Sequence, residues 1–113
     1  MAQILVVDRT LSVRESLAFV LEMEGHTVAQ AAGGHAALDA LALTPTDLIV
    51  VDPQLRDMPF DTFCAALRRL APAVRVVVMS LSDADSAATG SCAPAAFLAK
   101  PFAAPQLLAV VAG

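Results

Sequence analysis

The chain is short of most of the residues that surface chemistry uses. Its 113 residues include no tryptophan and no tyrosine, and aromatics make up only 4%. Stacking on nucleic-acid bases therefore has little material beyond phenylalanine. Charged residues account for 16%, the formal net charge is −4, and no basic cluster exceeds the pair Arg68–Arg69. Direct nucleic-acid binding needs several clustered cations and is disfavoured. Of the two histidines, neither His26 nor His35 falls where it would complete a Ser-His-Asp or Cys-His set. The two cysteines, Cys64 and Cys92, lack metal-ligand spacing and read as reduced, buried, small apolar side chains. Long apolar runs are missing as well. None exceeds six residues, far below a membrane span. No basic stretch leads into a long apolar run at the N-terminus, so no signal peptide is expected. These absences predict one compact cytoplasmic domain over 1–113, with no membrane contact.

What the chain does have is apolar residues, 58% of the total, enough to offset the entropy of ordering and to exclude disorder. They are arranged in two alternating patterns. Short continuous runs, "ILVV" (4–7), "DLIVVD" (47–52), "RVVVMS" (75–80) and "AAFLAK" (95–100), read as strands buried on both faces. "HTVAQAA" (26–32) is a weaker strand, nearer a sheet edge. Between them lie helical spacings. Val13, Leu17, Val20 and Leu21 line a first helix, with Ser12 and Glu15 as a capping box and Gly25 as its stop. Gly33–Gly34 turns into a second helix over 35–43. Asp61 caps a third helix through Leu70, with Phe63, Ala66, Leu67 and Leu70 inward. A weak fourth helix is expected over 83–90, and a last short helix closes the chain. Strand and helix alternate five times, which predicts a doubly wound α/β fold with a five-stranded parallel sheet in the order 2-1-3-4-5.

Parallel strands deliver their carboxyl ends to one edge, where ligands of such sheets bind. The residues delivered are Asp8, Asp52, Ser80 and Lys100, the last being the only lysine in the chain. Each singly has an ordinary explanation as a cap, a turn residue or a solvated charge. Together, two acids, a hydroxyl and an ammonium at successive strand ends suit phosphoryl acceptance. A carboxylate can act as nucleophile, and a divalent metal, a hydroxyl and an ammonium can each stabilise the transferring oxygens. Asp52, on the central strand, is the natural nucleophile. Asp8 is the natural metal partner.

The set "ILVVD", "DLIVVD", "VVVMS" and "FLAKPF" resembles the receiver domain of bacterial two-component response regulators, over the whole chain and in the right order. The resemblance implies a flavodoxin-like (βα)₅ fold and phosphorylation of Asp52 by a histidine kinase or phosphotransfer protein. It implies Mg²⁺ held by Asp8, Asp52 and the backbone carbonyl of Gln54, with Ser80 and Lys100 on the phosphoryl oxygens. It further implies a cis Lys100–Pro101 bond, and an output and dimer face on the fourth helix, fifth strand and last helix. Phe97 falls at the family's aromatic switch position; plain core packing is its alternative.

The sequence also departs from that pattern. Receivers usually carry two adjacent acids after the first strand, and Arg9 stands in place of the second. Turned inward, Arg9 would pair with Asp52 or Asp8 and compete with a metal. Turned outward, it leaves a site short of one ligand, so Mg²⁺ binding is expected to be weakened or lost. Leu81 follows Ser80 where the family prefers a very small residue. The loop after Asp52 reads Leu55-Arg56-Asp57, with Phe60 at a usual glycine position; Asp57 is either a substitute acid or a solvated loop residue. Two functions follow from this. One is a phosphoacceptor, not an enzyme beyond slow autodephosphorylation. The other is a degenerate receiver that binds partners regardless of phosphorylation. A flavin carrier shares the strand order, but "DRTLS" supplies no phosphate-binding loop and the aromatics no flavin sandwich.

Overall fold

A computed structural model of the chain describes residues 1–80, 92 and 94–112. Among these residues the elements run β1 (Gln3–Val7), α1 (Leu11–Met23), β2 (Thr27–Ala31), α2 (Gly34–Leu43), β3 (Leu48–Val51), α3 (Phe60–Leu70), β4 (Arg75–Ser80), β5 (Ala96–Ala99) and α4 (Ala104–Ala112). All strand pairs are parallel, in the order β2-β1-β3-β4-β5. The expected doubly wound sheet is therefore the observed one. The helix expected over 83–90 lies outside the described residues.

The layers follow from the strand period of two. Leu5, Val7, Ile49, Val51, Val76 and Val78 point to the face covered by α2 and α3. Ile4, Val6, Leu48, Val50, Val77 and Met79 point to the face covered by α1 and α4. Both faces are sealed, so β1 beyond Gln3 and all of β3 are at most 2% exposed. This is why those strands read as unbroken apolar runs and not as alternating ones. The edge strand β2 shows mixed exposure, as its weaker pattern suggests. Gly25, at φ 90°, takes the left-handed turn that ends α1, and its N–H donates to the Glu22 carbonyl.

Three local expectations are corrected. The helix α1 starts at Leu11 with Thr10 as N-cap and no side-chain cap bond, so Ser12 and Glu15 are its second and fifth residues and form no capping box. Similarly, α3 starts at Phe60 after Pro59, which puts Asp61 within its first turn and not at its cap. Its buried face is Phe63, Cys64 and Leu67, while Leu70 is 48% exposed. Leu70 is the last residue of α3 and lines a surface cavity with Leu41, Pro45 and Pro72.

The largest correction concerns the cysteines. Cys64 on α3 and Cys92 form a disulfide, with Cα atoms 4.8 Å apart and both residues fully buried. Nothing in their spacing of 28 residues signals this. One turn further along α3, Arg68 reinforces the junction. Its Nε and Nη2 donate to the Cys92 carbonyl and its Nη1 to the Val74 carbonyl. At the opposite layer, Arg75 donates to the Val110 and Val111 carbonyls and so caps the end of α4.

A crosslink spanning 28 residues removes denatured-state entropy worth about 3 kcal/mol. The oxidised protein should have an intact mass lower by two hydrogen atoms than the reduced one. A Cys64→Ala/Cys92→Ala chain should unfold at lower denaturant by about that free energy. Equal unfolding midpoints for the two chains would count against the crosslink.

Candidate functional site

The site is assembled by register. Val7 pairs with Val51, so the next residues, Asp8 and Asp52, leave adjacent strands side by side. Their amides extend the ladders by one step: Asp8 N–H donates to the Ala31 carbonyl and Asp52 N–H to the Val7 carbonyl. Pro53, with no N–H, ends β3 there. Ser80 ends β4 opposite Ala99, and the chain then delivers Lys100 to the same edge. The Lys100–Pro101 bond is cis.

Lys100 Nζ lies 2.8 Å from Asp8 Oδ2 and 2.6 Å from Asp52 Oδ2. The remaining carboxylate oxygens are also bonded. Asp8 Oδ1 accepts the Thr10 N–H at 2.8 Å, and Asp52 Oδ1 accepts the Gln54 N–H at 2.8 Å. Just outside, Arg14 Nη1 donates to the Asp8 carbonyl at 2.7 Å. The two acids differ in access: the Asp8 side chain is 1% exposed and that of Asp52 13%. Burial alone would lower the Lys100 pKa. The hydrogen bonds to Asp52 and then Asp8 outweigh it and hold the ammonium above its ordinary 10.5.

The expected convergence of Asp8, Asp52 and Lys100 is thus observed. Ser80 is at the expected strand end, but its side chain, and Leu81 entirely, lie outside the described residues. Arg9 takes the outward course. It is exposed and its guanidinium forms no hydrogen bond or ion pair with the described residues. It nevertheless lines the same cavity of about 240 Å³ as Asp8, Asp52, Gln54 and Lys100. Phe97 does not pack in the core: it is 48% exposed on β5, at the sheet edge. Two carboxylates, Asp8 and Asp52, and Gln54 line the cavity. No group of three or more His, Cys, Asp or Glu gathers for a metal among the described residues.

Asp57 is the residue whose role the sequence did not disclose. It stands outside the cavity, exposed, and its carboxylate accepts the Gly34 N–H at 2.8 Å and the His35 N–H at 2.9 Å. It thereby supplies the cap that Gly33, lacking a side chain, does not give α2. Those two amides, His35 first, hold its pKa below the ordinary 3.8. The signal was present as a helix start, Gly33–Gly34, with no capping side chain of its own.

These observations define a domain of the receiver type: a doubly wound sheet whose carboxyl edge gathers two acids and a lysine. The comparisons agree. The chain belongs to the response regulator receiver domain family, which matches residues 4–112. The response regulator MprA of Mycolicibacterium vanbaalenii is 34% identical over 109 residues, covering 95% of this chain and 47% of that protein. The chain thus spans about half the length of the curated relatives it matches. Among solved structures, chemotaxis response regulator CheY4 of Vibrio cholerae superposes with a TM-score of 0.89 at 25% identity, covering 99% of this chain and 97% of that one. A response regulator of Burkholderia pseudomallei, solved with a phosphorylated aspartic acid and a calcium ion, gives 0.86 at 28% identity, covering 97% and 66%. Receiver domains are generally phosphoryl acceptors in two-component signalling and generally bind Mg²⁺.

Two outcomes are expected. Lys100→Met leaves a buried carboxylate beside a second one with no cation. It should cost about 3 kcal/mol at neutral pH, measured by urea melts. Because the Lys100 pKa is raised on folding, its own contribution is complete below 10.5 and disappears as pH rises through the raised value. For Asp57 the sign is opposite. Its contribution is present above 3.8 and is lost as pH falls through the depressed value. Asp57→Ala should therefore speed amide exchange at Gly34 and His35 severalfold near neutral pH.

Proposed function

We propose that the chain is a receiver that accepts a phosphoryl group on Asp52 from a histidine kinase or phosphotransfer protein. The carrying observation is the difference in access between the two acids that line the cavity: the Asp52 side chain is 13% exposed, that of Asp8 only 1%. In the step, an Asp52 carboxylate oxygen bonds to phosphorus and the P–N bond to the donor imidazole breaks. The electron pair stays on that nitrogen, and the ring leaves neutral with its other nitrogen protonated. Lys100 and the Ser80 hydroxyl hold the phosphoryl oxygens, and Asp8 fixes the Lys100 ammonium between transfers.

Docking has material beside the site. A cavity of about 450 Å³ between α1 and the segment after β5 is lined by Ser12, Val13, Ser16, Leu17, Pro101 and Phe102 and opens next to Lys100. Leu11, Phe19 and Met23 expose apolar surface on α1, enough to seat a partner helix. The half-exposed Phe97 suits the switch role, reporting the Ser80 position to the β5 edge. That edge and the last helix are the output and dimer face. The reading places one receiver domain over 1–113 in the cytoplasm, away from nucleic acid, acting as acceptor with at most slow autodephosphorylation.

One observation favours the second reading, a phosphorylation-independent interaction module. Lys100 already satisfies both acids, so the site is stable as it stands. Incubation with a phosphorylated histidine phosphotransfer protein, with Mg²⁺ present, separates the two. The acceptor reading expects a mass gain of one phosphoryl group, lost in Asp52→Ala. An unchanged mass in the folded wild-type chain sinks it and leaves the module.

A further inference from the structure

Resting on that acceptor reading, we propose that the Asp52 cavity takes its phosphoryl group without a divalent metal, Lys100 and Arg9 together supplying the positive charge. Among the described residues, the charges that line the cavity are Asp8 and Asp52 against Lys100 and Arg9, which cancel. A receiver with two adjacent acids after its first strand carries three carboxylates against one lysine, a double negative excess. Phosphorylation turns the aspartate monoanion into a dianionic acyl phosphate. That brings the three-acid site to three negative charges, which a divalent cation reduces to one. In this chain the same step, starting from zero, ends at one negative charge with no metal. The exchange of one acid for one guanidinium is worth the same two charges as the ion.

Geometry agrees with the charge count. The position between the two carboxylates is filled by Lys100 Nζ, at 2.8 and 2.6 Å from their Oδ2 atoms. Both Oδ1 atoms accept backbone N–H groups. A divalent cation would have to share both carboxylates with the ammonium and settle in a cavity that Arg9 also lines, against like charge. Arg9, in contrast, is uncommitted: it forms no hydrogen bond or ion pair with the described residues. A guanidinium presents paired N–H donors that match two phosphoryl oxygens, and it keeps its charge at any working pH. With a small acyl phosphate as donor, the balance needs no further reactant. The Asp52 oxygen–phosphorus bond forms, the bond from phosphorus to the acyl oxygen breaks, and its electron pair leaves with the carboxylate product.

The test compares intact mass against time with acetyl phosphate in Mg²⁺ and in EDTA, for wild type, Arg9→Asp, Arg9→Gln and Asp52→Ala. Wild type should gain one phosphoryl group in EDTA at a rate within about threefold of that in Mg²⁺. Arg9→Gln should slow the EDTA reaction at least ~tenfold. Arg9→Asp should become Mg²⁺-dependent. A second readout needs no phosphorylation: amide shifts of Asp8, Asp52 and Gln54 should stay fixed on Mg²⁺ titration of wild type and move in Arg9→Asp. Phosphorylation of wild type in Mg²⁺ but not in EDTA overturns the inference and leaves Asp52 as acceptor. Mg²⁺-dependent shifts of the wild-type site amides overturn it too. Absence of any mass gain in either buffer overturns the acceptor reading itself, and the inference with it.

Discussion

The ammonium of Lys100, held between two carboxylates, is the contact on which the carboxyl edge of this sheet depends. Adjacent buried strands that both end in acid have a problem. Two unit charges ~4 Å apart cost about 4 kcal/mol at an effective dielectric near 20. The sheet solves it with a cation brought from the other end of the chain, 92 residues from Asp8. The order β2-β1-β3-β4-β5 makes this economical in geometry, since the first, third and fifth strands all point the same way. The fold therefore does more than display the site. The charge arrangement at the edge gives the fifth strand, short and otherwise thinly buried, a reason to sit where it does.

Three of the arginines serve the main chain. Arg14 holds the Asp8 carbonyl, Arg68 holds those of Cys92 and Val74, and Arg75 holds the end of α4. Charged donors to backbone carbonyls are strong bonds in partly buried places. Each of these arginines fastens one chain segment to another, where a compact domain with few charges needs bracing. Arg9 stands apart from this pattern, which makes its position in the cavity informative.

Much of the fold was legible because burial on both faces leaves a coarse mark. Ile4–Val7 and Leu48–Val51 could be nothing but central strands of a covered sheet, and the acids that follow them had to meet. What escaped depends on contacts between distant segments. The pairing of Cys64 with Cys92, 28 residues apart, is one that spacing does not encode. The capping roles of Ser12 and Asp61 fail because each helix begins two residues earlier, with Thr10 and Pro59 as the N-caps. Leu70 has the right helical phase for the core but is the last residue of α3 and lines a surface cavity. Asp57 was seen as a loop residue because its partners, the amides of Gly34 and His35, lie 23 and 22 positions away. The direction of Arg9 was open in the sequence because a long flexible side chain at a strand mouth has room on both sides.

The contact between Asp57 and the glycine pair also constrains how such a chain can change. A Cβ at Gly33 would stand 3.0 Å from the Asp57 carboxylate, and one at Gly34 would stand 2.7 Å from Met58 Sδ. The loop that follows β3 thus rests against the bare backbone at the start of α2. A side chain at either glycine would press on the far end of Asp57 or Met58, flexible groups that can turn aside. For Asp57, turning aside means giving up the Gly34 and His35 amides. A side chain at Gly33 would therefore act on the helix as the loss of its cap does.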